Sequence, residues 1–259
     1  AFERLPGNPI HRGSPPYEWP VNGFLFPDPV TGHWFVYVGH YLDGYACREE
    51  NPAMCTVFRS TDHGRSWEHL GPIFTPEPFC FAGATTPVAH TPDVSVVFHD
   101  GRYHMVYDWA AAGTTYKKFA DSGAAYAWSE RPQGPFRRAS KPIFTNGTDV
   151  AQPILGKYRR LYATTLIRRK SDWMVLTIMD SQEYFAWGLV AATAASPEGP
   201  YSTPVPLFHM EGDRYHPALM EFFPSFVHGG HIYAPATSVA GNRDFQIMYR
   251  APIEEATRP

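Results

Sequence analysis

The sequence has no strong charge of either sign: 22 Lys and Arg stand against 25 Asp and Glu in 259 residues, a formal net charge of −3. A nucleic-acid binder would normally carry a clear basic excess, so that partner is not expected. No run of about 18 apolar residues occurs, which leaves no transmembrane helix and no expected membrane partner. Cysteine is scarce. Cys47, Cys55 and Cys80 are an odd set, too few for a disulfide-stapled framework. Cys47 and Cys55 bracket the loop CREENPAMC, either as a disulfide or as two unpaired thiols. No H-E-x-x-H or C-x-x-C spacing, no G-x-S-x-G and no Gly-rich phosphate loop is present. A dedicated zinc site, a serine-hydrolase elbow and a nucleotide cradle are therefore not expected. Glu and Lys are sparse while 26 Pro and 21 Gly punctuate the chain, which argues against coiled coils and helical bundles.

Aromatic residues are abundant: 7 Trp, 15 Tyr and 18 Phe, 15% of the chain. That composition is not one of disorder, and 44% hydrophobic residues suffice for a core. The length suits one all-β domain. Four hairpin patterns recur. GFLFPDPVTGHWFVYVGHY (residues 23–41) turns at PDPVTG, and PDVSVVFHDGRYHMVYDWA (92–110) turns at Asp100-Gly101. DVAQPILGKYRRLYATTL (149–166) is weaker, and MEFFPSFVHGGHIYAPATS (220–238) turns at Gly229-Gly230. Each is followed by an outer pair of strands, and three units close alike, on GPIF, KPIF and VPLF. Unit starts near residues 22, 93, 149 and 221 give the spacing of four-stranded propeller blades. The expected fold is an all-β propeller with inner strands near 23–27, 93–98, 151–155 and 221–227. Ser60-Thr61-Asp62-His63-Gly64-Arg65-Ser66-Trp67 fits an Asp box, in which the Asp caps a strand-to-strand turn at the blade periphery. Asp62 is read as a folding device rather than a catalytic acid.

Inner strands of a propeller converge on its axis, so polar residues at their starts meet although they are far apart in sequence. Those starts carry Asn22, Asp93, Asp149 and Glu221, with Glu18 just upstream of the first. Each carboxylate alone also reads as a turn cap; three at equivalent positions read better as a site.

With these residues the chain resembles the five-bladed β-propeller glycosidases of the arabinanase and β-xylosidase type, glycoside hydrolase family 43 and its relatives. Thr91-Pro92-Asp93, Thr148-Asp149 and Glu221 are similar to the family's blade starts, and AWSERPQGPF and AATAASPEGPY to its outer-strand motif. The likeness covers residues 18–250. It implies five blades, of which four are readable; the fifth is incomplete, shared between the termini or beyond Pro259. Residues 1–259 are then a single catalytic domain, either complete or part of a longer chain. It further implies hydrolysis by carboxylates around a central pocket. By position Glu221 is the acid, Asp149 orients it and raises its pKa, and Asp93 lines the subsite. The family's blade-one base, an Asp, is replaced here by Asn22, which cannot take a proton from water. Either Glu18 or Glu183 serves instead, or the base is lost, so retention or inversion stays open.

Around this set, Trp19 and Trp109, read as loop residues, are candidate sugar-stacking groups, and Tyr184 and Trp187 are weighed with them. His90 and His216 precede carboxylate-bearing strands and are candidates for sugar hydroxyls or a structural cation on the axis. No other metal and no cofactor is expected. Arg168, Arg169 and Lys170 form either a uronate contact or, more plainly, a solvated hairpin tip. The expected function is an exo-acting glycosidase on a plant, algal or microbial oligo- or polysaccharide, monomeric, secreted or periplasmic. Export is inferred from function, since the opening AFERLPG carries no targeting signal. The alternative is a non-catalytic carbohydrate-binding propeller. A sialidase, suggested by the Asp box, would need six blades and three clustered arginines.

Overall fold

A computed structural model describes residues 19–41, 53–75, 77–91, 93–112, 122–145, 160–180, 187–210, 220–222, 225–240 and 243–252. Among them every regular element is a strand. The first sheet is an antiparallel meander of β1 (Trp19–Pro27), β2 (Trp34–Tyr41), β3 (Ala53–Ser60) and β4 (Glu68–Pro72). A short β5 (Val88–His90) leads into the second meander: β6 (Val94–His99), β7 (Arg102–Ala111), β8 (Ser122–Ser129) and β9 (Arg137–Thr145). The third runs β10 (Arg160–Arg168), β11 (Trp173–Asp180), β12 (Trp187–Ala194) and β13 (Val205–Met210). In the fourth, β14 (Met220–Phe222) and β15 (Phe226–His228) both pair with β16 (His231–Ala240), which pairs with β17 (Arg243–Pro252).

Turn chemistry explains where these strands reverse. Asp100 (φ 46°) and Gly101 (φ 75°) both take left-handed backbone in a two-residue turn, and Gly229 (φ 54°) and Gly230 (φ 72°) do the same. In the first hairpin Asp28 is the organiser. Its carboxylate accepts from the backbone of Val30 and Thr31, the Thr31 hydroxyl (2.6 Å) and, from the second sheet, Tyr103 Oη (2.9 Å). The third expected inner strand, residues 151–155, lies outside the described residues; among the described ones the sheet that closes on VPLF runs from β10 to β13. Its hairpin tip is Arg169–Asp172, where the Arg169 backbone N–H donates to Asp172 O (2.9 Å) and the Arg169 guanidinium pairs with the Asp172 carboxylate.

Sheets stack face to face around an axis. Strand residues alternate sides, and β7 shows both. Tyr103, Met105, Tyr107 and Trp109 join Phe26, Phe35, Tyr37 and Ile73 in the core shared with the first sheet. Val106, on the other side, joins Leu166, Trp173 and Val175 of the third. The inner strands are stitched together in the same order. Ser95 Oγ of β6 accepts the Leu166 N–H of β10 (3.2 Å), and Thr165 Oγ1 of β10 accepts the Ser225 N–H beside β15 (3.0 Å).

The Asp box closes the β3–β4 turn. Asp62 accepts from Ser60 Oγ (2.8 Å), the Ser66 N–H (2.8 Å) and Ser66 Oγ (2.6 Å), while Trp67 Nε1 donates to Gly64 O (3.1 Å). The Ser66 and Ser60 bonds hold the Asp62 carboxyl well below the usual carboxylate range. Because its folded pKa is depressed, Asp62 stabilises the fold above the unfolded value of about 3.9, and this contribution fades as the pH falls below it. Asp62→Asn should therefore melt lower than the wild type at pH 6, with the gap narrowing towards pH 3. Parallel melting curves across that range would show instead that the turn does not depend on the ionised carboxylate.

Candidate functional site

The inner strands carry their turns at one end, so their starts share the other. Asn22 lies at an irregularity in β1, where the register with β2 skips between Val21 and Gly23. A bulge re-aims one side chain, and here it turns the Asn22 amide towards the next blade. Asn22 Nδ2 donates to Asp93 Oδ1 at 2.8 Å, joining two strand starts 71 residues apart. Asp93 is half-buried immediately before β6, and its carbonyl accepts the Asp108 N–H (2.9 Å). The Cys55 thiol of β3 is free and buried. Burial pushes that thiol up, and the Asp93 charge adds to the effect. Cys55 being free, the disulfide alternative for CREENPAMC is set aside.

Asp108 was not singled out from the sequence. It sits on β7, 7% exposed, and its carboxylate accepts the Thr164 N–H of β10 at 3.2 Å. A carboxylate inside an otherwise apolar strand, in VYDW, was the available signal. Asn22, Asp93 and Asp108, with the Thr164 N–H, thus form one line of polar contacts from the first sheet to the third.

Trp109 is a strand residue of β7 rather than a loop residue. It is 7% exposed and meets Phe81 edge-on at 4.8 Å, within the core between the first two sheets. Its expected place at the mouth is corrected accordingly, since β7 runs on to Ala111 and carries the ring into the core. Trp19 and Trp187 likewise open strands, β1 and β12. His90 ends β5, opposite Ala110. Glu221 is the middle residue of β14, opposite Thr237, at the end of its hairpin remote from Gly229-Gly230. Glu18, Asp149, Glu183 and His216 lie outside the described residues. The hairpin tip at Arg168–Lys170 closes on itself, with Arg168 Nη1 donating to Asp172 O (2.7 Å).

No protein-family model matches the sequence, and no curated protein does. Solved structures do. A family 117 glycoside hydrolase produced by the marine bacterium Zobellia galactanivorans aligns with 90% of the chain at TM-score 0.59 and 15% identity. The chain spans 65% of that protein's length. An endo-arabinase from Bacteroides thetaiotaomicron aligns with 92% of the chain and 77% of its own, at TM-score 0.58 and 16% identity. A B. megaterium levansucrase aligns with 93% of the chain and 66% of its own, at TM-score 0.61 and 9% identity. At such identities the likeness speaks for the fold. The chain has the β-propeller fold of these carbohydrate-active enzymes, in a divergent sequence.

The Asp108 contact makes a testable claim about that fold. Asp108→Ala leaves the Thr164 N–H buried without an acceptor, which should cost about 1–3 kcal/mol. Asp108→Asn keeps an acceptor oxygen and should cost less than the alanine variant. Denaturant unfolding that places the alanine variant level with the wild type would mean the bond does not tie the second sheet to the third.

Proposed function

We propose that this chain is a glycoside hydrolase domain that works at the axial mouth where the inner strands begin. The observation that carries the reading is the Asn22–Asp93 hydrogen bond, because it brings two strand starts into one polar site on a propeller fold. Glu221 is the general acid that protonates the leaving oxygen, and Asp149 is the carboxylate that orients it. Hydrolysis also needs a base to take a proton from the attacking water. Asn22 cannot do this, but it fixes the rotamer of Asp93. The reading therefore assigns the base to Asp93 and a positioning role to Asn22, in preference to Glu18 or Glu183. Trp19, His90 and His216 complete the substrate contacts. The substrate is an oligo- or polysaccharide cut from its end, by a monomeric protein outside the cytoplasm.

Glu221→Gln and Asp93→Asn separate the roles. Glu221→Gln removes the transferable proton, so turnover of natural glycosides should fall by about 10²–10⁴-fold. Aryl glycosides with very good leaving groups need little protonation and should suffer much less. Asp93→Asn should depress both substrate types alike, and added azide should restore turnover with a glycosyl azide as product. Unimpaired hydrolysis in Asp93→Asn would move the base elsewhere. A second reading, a non-catalytic sugar-binding propeller, draws on the same Asn22. It is favoured if the wild type binds oligosaccharides but turns none over.

A further inference from the structure

A second group of chemistry-bearing side chains lies away from the strand starts. An open recess of about 570 Å³ is formed between the β8–β9 turn, the start of β9 and the segment following β4. Arg131, Arg137 and Arg138 line it, together with Phe79 and Trp128. Register places it far from the axial mouth. Trp128 pairs with His104 and Ser129 with Tyr103, at the Asp100-Gly101 end of the sheet, whereas Val94, next to Asp93, pairs with Tyr107. The separation is four residues along the strand from Tyr107's partner Ala125 to Ser129. That is about 13 Å at roughly 3.3 Å per residue, with two or three strands of lateral offset in addition.

The arginines here are held without carboxylate partners. The Arg102 guanidinium lies 4.4 Å from the Trp128 ring centroid and that of Arg137 4.8 Å. Arg138 lies 4.1 Å from the Phe74 ring and 5.0 Å from that of Phe79, with its Nε buried and unbonded. Among the described residues none of Arg102, Arg131, Arg137 and Arg138 has an ion pair, although Glu77 and Glu130 share the rim. Stacking on aromatic faces fixes the guanidinium planes of Arg102, Arg137 and Arg138 while leaving their N–H forks unspent. Arg138 is half-buried without a counter-charge, which is costly, and an anion in the recess would offset that cost. A volume of this size is that of a small-molecule site rather than of a single ion.

We propose that this recess is a second, non-catalytic binding site for an anionic sugar unit bearing a carboxylate or sulfate group. The anionic part of the assignment stands on the unpaired arginines. The sugar part rests on the glycosidase reading above. Bound there, a polysaccharide chain would be held to the propeller at a point distant from the cutting site, which raises the local concentration of its ends.

The test uses the whole chain carrying Glu221→Gln, so that binding is read without turnover. Calorimetric titration is made with trigalacturonate, its fully methyl-esterified form, a sulfated trisaccharide and a single-stranded oligonucleotide. Saturable binding of trigalacturonate or of the sulfated sugar is expected, and which of the two binds tighter identifies the anionic group. The neutral ester should bind at least tenfold more weakly. Arg131→Ala combined with Arg137→Ala should weaken anionic-sugar binding about tenfold or more at an unchanged melting temperature. If that pair unfolds, Arg137→Gln alone should still weaken binding several-fold. Equal binding of ester and acid, indifference to the arginine variants, or equal affinity for the oligonucleotide would each overturn the proposal. Arginine-dependent sugar binding by a wild-type protein that hydrolyses no glycoside would keep this site and remove the glycosidase reading. Hydrolysis without arginine-dependent binding would do the reverse.

Discussion

The architecture depends on how the inner strand of one sheet is tied to the inner strand of the next. Neighbouring sheets mostly stack on each other; among the described residues only the short β5, which pairs with β3 and β7, carries a ladder from one to the next, so elsewhere the gap offers backbone groups no ladder partner. A buried N–H left facing that gap would cost about as much as a lost hydrogen bond. Short polar side chains fill the role. Ser95 accepts from Leu166, Asp108 from Thr164 and Thr165 from Ser225. Each bond is a hydroxyl or carboxylate oxygen of one inner or second strand reaching a backbone N–H of the following unit. With Asn22 on Asp93 they form a chain of contacts that runs from the first sheet to the fourth. Because the bonds are directional, they fix the rotation of each sheet about the axis as well as its distance.

Away from the axis the same gap is filled by rings. Tyr37, 1% exposed, donates from its hydroxyl to Pro132 O at 2.6 Å, pinning the first sheet to the outer turn of the second. Trp173 fits edge-on against His99 at 5.4 Å between the second and third. Large side chains suit this position because sheets diverge outwards, and a ring spans what an aliphatic group cannot. The 15% aromatic content of the chain is thus a consequence of stacking sheets radially. It also explains why Trp109 packs in the core instead of meeting solvent.

What could be read in advance follows the range of the interaction responsible. Asp100-Gly101 and Gly229-Gly230 were legible because a two-residue turn needs left-handed backbone from residues that tolerate it, a wholly local demand. The Asp box was legible for the same reason, as Ser60, Asp62 and Ser66 satisfy one another within a few residues. The hairpin expected over 149–166 begins in residues outside those described, while the tip between β10 and β11, Arg169–Asp172, has no glycine to mark it and is closed by an ion pair. Asp108 escaped notice because its partner is 56 residues away. The Asn22–Asp93 pair lies between these cases. The positions were readable from the repeat, whereas the hydrogen bond required the register skip in β1.

That skip links fold to chemistry at the mouth. A regular strand would direct residue 22 by simple alternation, with a backbone partner in β2. The bulge instead leaves Asn22 outside the ladder and free to serve the neighbouring blade. An Asp at this position would face Asp93 as a like charge at hydrogen-bonding distance, and one of the two would be driven to hold a proton. Asn avoids that conflict: its amide donates to the Asp93 carboxylate. In the proposed glycosidase reading, the contact with Asn22 is what sets where the Asp93 carboxylate points.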